Sequence, residues 1–91
     1  MKVRVHLIVQ GIVQGVGLRY FVLRHAQEMG IEGYVKNLFS EEVEIEAQGE
    51  RAMVEVLIQE IRVGPRFAHI TNVDVQWLSP ENSFSGFEVR E

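Results

Sequence analysis

Residues 3–29, VRVHLIVQGIVQGVGLRYFVLRHAQEM, change their period halfway along. From Val3 to Val9 every odd position is apolar (Val3, Val5, Leu7, Val9), with Arg4, His6 and Ile8 between them. A period of two marks a half-buried strand. After the glycines, Leu18, Val22, Ala26 and Met29 recur at helical spacing, with Phe21 and His25 alongside. Gly30 is placed to end that helix.

The same two periods continue outward from this strand–loop–helix unit. Ile31 to Leu38 reads as a second strand led in by Gly33, followed by the corner Phe39-Ser40-Glu41-Glu42. Val43, Ile45 and Ala47 then alternate with Glu44, Glu46 and Gln48 up to Gly49, the cleanest strand pattern in the chain. A second helix is expected over about 50–63, with Met53, Leu57 and Ile61 on one stripe, Val54 and Ile58 beside it, and Gly64-Pro65 as its stop. A fourth strand over about 68–78 turns Val73, Val75 and Trp77 inward, and Phe87 and Val89 form a last short alternation. Trp77 and Phe87 are expected to be core or edge cover.

This βαββαβ order, with its short terminal strand, predicts an α+β fold: a ferredoxin-like sandwich, its antiparallel sheet carrying both helices on one face. Crossover handedness places the first strand beside the third. Outward-facing Arg4 and His6 then fall near Glu44 and Glu46.

The bulk properties narrow the function. A chain of 91 residues with no internal linker or repeat is expected to form a single domain, 1–91. With no cysteine, there is no disulfide framework and no thiolate chemistry. No apolar run approaches the roughly 20 residues of a membrane span. The N-terminal alternation does not resemble a signal peptide, so a cytoplasmic protein is expected. A net charge of −4 argues against a nucleic-acid binder. His6, His25 and His69 lack metal-ligand spacing, and the run Glu41, Glu42, Glu44, Glu46 reads as a solvated strand face. No metal, no cofactor, no membrane and a monomeric state are the resulting expectations.

Chemistry must then come from the stretch GIVQGVGLR, residues 11–19. It leaves a strand and enters a helix, so free amide hydrogens and the positive helix end converge there. Gly15 and Gly17 can adopt angles closed to other residues and turn successive amides inward. Arg19, in the first helical turn, adds a planar fork suited to a tetrahedral oxyanion. A tight connection beside a solvated arginine explains the same residues. On the residues alone, both readings stand. Known alternatives do fall away: there is no GK[ST] motif, and Tyr20 occupies the third-glycine position of a dinucleotide fingerprint. Asp74 is the only aspartate, and Ala26 interrupts the histidine-phosphatase pattern that Arg24-His25 would begin.

Gly11, Val13, Gln14, Gly15, Val16 and Arg19 resemble the first signature of the acylphosphatases, small enzymes that hydrolyse the carboxyl–phosphate bond, here of the small bacterial and archaeal type. Gly33, Tyr34, Val35, Lys36, Asn37, Val43 and Gly49 match the second signature in register. The resemblance covers the whole chain. It implies that Arg19 binds the substrate phosphate with the backbone amides of Gln14, Gly15, Val16, Gly17 and Leu18, and that Asn37 orients the attacking water. Asn37 shares the face of Val35, the helix side of the sheet, toward which Arg19 also lies.

A small-molecule acyl phosphate suits so sparse a site. Its leaving carboxylate, of pKa about 4, departs unprotonated at neutral pH, so no general acid or metal is required. Two positions depart from the signatures. Leu18 stands for an aromatic or methionine, which concerns packing. Glu41 stands for a turn glycine, which would strain a positive φ and bring a carboxylate toward an anionic substrate. These departures motivate the alternative of a non-catalytic anion-binding or regulatory module; an RNA-binding domain is disfavoured by net charge.

Overall fold

The computed structural model describes residues 1–91. Its elements run β1 (Lys2–Ile12), α1 (Leu18–Glu28), β2 (Glu32–Asn37), β3 (Val43–Glu50), α2 (Arg51–Val63), β4 (His69–Leu78) and β5 (Phe87–Arg90). They form one sheet in the order β4-β1-β3-β2-β5, with β1 between β3 and β4 as the handedness rule requires.

Along β1 the odd side chains Val3, Val5, Leu7 and Val9 are buried, and β3 buries Val43, Ile45 and Ala47 on the same side. Leu18, Val22 and Ala26 from α1 and Val54, Leu57, Ile58 and Ile61 from α2 close the core over that face. Each fully buried aliphatic chain contributes about 2 kcal/mol of burial free energy. The stripe of α2 is thus centred on Val54 and Leu57, and Met53 sits at its rim, 37% exposed. At the end of α1, Gly30 N–H donates to Gln27 O and Ile31 N–H to Ala26 O, the paired bonds that stop a helix. His25 packs its ring on Phe21, centroids 4.4 Å apart.

The open face carries the expected charge match, made diagonally. His6 pairs across from Glu46 and Ile8 from Glu44, yet Arg4 Nη1 reaches Glu46 at 2.7 Å and His6 Nε2 reaches Glu44 at 2.9 Å. Long side chains cover the diagonal readily. Burial opposes ionisation of Glu44, but hydrogen bonds from His6 and Tyr34 outweigh it and hold the carboxyl below its usual range. Burial, followed by Glu44 and Glu46, pushes the Tyr34 phenol up.

Two features depart from the expected arrangement. The four long strands pair antiparallel, whereas β5 runs parallel to β2, so the sheet is mixed. Parallel pairing is possible because residues 79–86 cross the open face before β5 begins. Gln48, fully buried, holds that crossing by donating to Glu81 O and accepting from Glu81 N–H, both at 2.7 Å. Trp77 lies on edge strand β4 and is 44% exposed, covered by Arg51 with its guanidinium 5.0 Å from the ring; Phe87 belongs to the core.

Candidate active site

The connection between β1 and α1 has no regular structure between Val13 and Gly17. Gly15 (φ 74°) and Gly17 (φ 83°) both take left-handed angles, and Gly17 opens α1 without a side-chain cap. Open space surrounds the position of a Cβ at either glycine, so backbone angle rather than crowding selects glycine here. No amide from Gln14 to Gly17 donates to a carbonyl in the protein, and the first-turn amides of α1 have no preceding turn to bond. A row of main-chain donors is therefore available at the positive end of a helix.

Arg19 is half-buried in that first turn. Its guanidinium forms no ion pair and no hydrogen bond with any other residue. Asn37 ends β2 on the Val35 face, and its Oδ1 is buried with no hydrogen-bond partner. A buried carbonyl oxygen of this kind is rare in folded proteins and calls for a partner from outside the chain.

Arg19 and Asn37 line a single cavity of about 490 Å³, together with Gln14, Lys36, Leu38, Phe39, Arg90 and Glu91. Two residues far apart in sequence thus border one cavity. Leu18 instead lies wholly in the core at 1% exposure, so its departure from the signature is indeed a matter of packing. Val16 packs partly against the core, and Gly15, Val16, Gly17 and Leu18 are not among the residues bordering this cavity; Gly17 borders a separate cleft with Tyr20, Phe21, Arg24 and Pro65.

Lys36 and Arg90 also border the cavity, but Lys36 alternates with Asn37 along β2 and its charge acts on Glu44 of the open face, which leaves Arg19 as the cation on the Asn37 side. Arg90 is partly neutralised by Glu88 at 3.0 Å and stacks on Tyr34, 4.2 Å from the ring centroid. Its place beside Lys36 follows from the parallel β2–β5 register, which the sequence pattern does not disclose. Phe39, fully exposed, forms part of the same wall, and nothing in the hydrophobic alternation marks it. A larger cleft of about 630 Å³ lies between α2 and β4, but Glu55 and Glu60 there face only Arg62, a poor setting for an anion.

Glu41 is the sole non-glycine residue at positive φ, 72°. It borders a separate groove with Gln10, Gly11, Ser40 and Glu42, so its carboxylate does not line the cavity of Arg19 and Asn37. Glu41→Gly is expected to raise stability by about 0.5–1.5 kcal/mol: relief of a left-handed strain of about 1–2 kcal/mol, offset by about 0.5 kcal/mol of glycine's unfolded-chain entropy. The urea midpoint reads this change, with kcat unaltered.

The acylphosphatase family model matches residues 5–89. An acylphosphatase of Caldanaerobacter subterraneus subsp. tengcongensis is 42% identical over 89 residues, covering 98% of this chain and 99% of that protein. One from Chlorobaculum tepidum is 43% identical over 86 residues, 94% of each. The crystal structure of an acylphosphatase from Bacillus subtilis superposes with a TM-score of 0.94 at 31% identity, covering 100% of both chains. Sequence, fold and an anion-suited cavity agree, and the chain belongs to the acylphosphatase family.

Proposed function

We propose that this protein hydrolyses small acyl phosphates to a carboxylate and inorganic phosphate by direct attack of water, without a metal. The observation that carries the reading is the shared cavity: a guanidinium with no protein partner and a buried carboxamide oxygen with none line the same walls. Arg19 grips two phosphoryl oxygens through its fork, and the amides of Gln14, Gly15, Val16, Gly17 and Leu18 donate to the remaining charge. Asn37 Oδ1 accepts one O–H of a water and aims its lone pair at phosphorus. As the water oxygen bonds to phosphorus, the bond from phosphorus to the carboxyl oxygen breaks, and its electron pair leaves with the carboxylate. The water's proton passes to a phosphoryl oxygen of the substrate itself.

The leaving group sets the substrate class. A carboxylate of pKa about 4 needs no protonation, whereas an alkoxide with a conjugate acid near that of water, about 16, does. Positioning and charge neutralisation then suffice.

Hydrolysis of benzoyl phosphate, followed spectrophotometrically, tests the reading. Equal turnover with and without excess chelator is expected. Activity that chelator removes and a divalent metal restores would overturn the metal-free mechanism. Phosphate binding without turnover would instead identify a non-catalytic module.

A further inference from the structure

Gln14 does more than contribute a main-chain amide. Its side-chain Nε2 donates to Leu38 O and to Glu42 O, each at 2.9 Å. A carboxamide nitrogen carries two hydrogens, so both are committed and neither remains for a phosphate. The two carbonyls are the poles of the corner that follows β2. Leu38 N–H donates to Glu42 O at 2.9 Å, and Glu41 N–H donates to Leu38 O at 3.1 Å. Leu38 is bonded covalently to Asn37, the last residue of β2. One side chain therefore joins the loop ahead of Arg19 to the corner that presents Asn37, across a separation that no strand pairing spans.

We infer that Gln14 is a positioning residue, setting the spacing between the phosphate-holding loop and the Asn37 carboxamide. The inference rests on the roles given above to Arg19 and Asn37. In-line attack tolerates little displacement: an error of about 1 Å lowers rate by about 10². Phosphate binding needs only the loop and Arg19, and the Gln14 main-chain amide survives any substitution of its side chain. Loss of the Gln14 bridge thus falls on kcat and spares phosphate affinity. A merely structural brace would lower both, and would act independently of Asn37.

The experiment is a double-mutant cycle on the full chain, with kcat measured on benzoyl phosphate and inorganic phosphate as competitive inhibitor. Gln14→Ala is expected to lower kcat by about tenfold or more while changing the phosphate inhibition constant less than about threefold. In an Asn37→Ala background the same substitution is expected to lower kcat by less than about twofold, because the group being positioned is gone. Losses that multiply in the double variant, with Asn37→Ala itself impaired, overturn the positioning role alone. Parallel falls in phosphate affinity and kcat overturn it too. Wild-type kcat in Asn37→Ala overturns the reading of Asn37 and this role with it.

Should Gln14→Ala unfold, Gln14→Glu carries the test at constant side-chain size. Protonated, the new carboxyl donates to one carbonyl; ionised, it repels both. Two facing carbonyl oxygens favour the neutral, donating form and hold this carboxyl above the ordinary value of about 4, so its kcat relative to wild type is expected to rise as pH falls from about 8 to about 4, and a flat ratio overturns the inference.

Discussion

Arg19→Ala lowers kcat/KM on benzoyl phosphate by about 10³ or more, the scale on which single arginines act in phosphoryl transfer. Its inhibition by inorganic phosphate falls away in the same variant. The reason lies in what Arg19 does not do. With no carboxylate and no carbonyl engaged, its donors are uncommitted, and the folded chain does not use the guanidinium to hold itself together. Thermal unfolding of Arg19→Ala is accordingly expected to stay close to that of the wild type. Arg19→Lys should recover little, since an ammonium is a point charge and cannot offer two parallel donors to one phosphoryl group. Undiminished phosphate inhibition in Arg19→Ala would mean that the main-chain donors suffice, and would remove the arginine from the site.

The second large effect concerns Asn37. Asn37→Ala is expected to lower kcat by about 10², comparable to losing one preorganised polar group, and to leave phosphate inhibition largely unchanged. Binding and rate separate here because the carboxamide oxygen is assigned to the water, not the phosphate. Stability supplies an independent check. A buried acceptor without a partner is unfavourable in the folded state, so Asn37→Ala should unfold at the same temperature as wild type or slightly higher. An Asn37→Ala enzyme that turns over at the wild-type rate would refute the water-holding role.

Much of the scaffold was legible from period alone. Val3, Val5, Leu7 and Val9 face the core because alternation leaves them no other common side, and Leu18, Val22 and Ala26 cover them because helical spacing gathers them on one stripe. The meeting of Arg4 and His6 with Glu46 and Glu44 followed from crossover handedness, although the partners lie on the diagonal. Asn37 could be assigned to the helix side through Val35, two positions earlier. Met53 and Trp77 were harder to place, because a repeat says which face a residue shares but not how far the neighbouring layer extends over it.

Sequence determined this protein's element order, its buried faces and the loop that opens the first helix, since each depends on residues within a turn or two of one another. Tertiary structure alone decided the rest: the parallel docking of a four-residue β5, held by Gln48 and the crossing at Glu81, and with it the arrival of Arg90 beside Lys36. It also decided that Gln14 would spend both amide hydrogens on the corner after Asn37. Short strands and single side-chain bridges carry no period, and their partners are selected by which unsatisfied backbone groups the folded core leaves within reach.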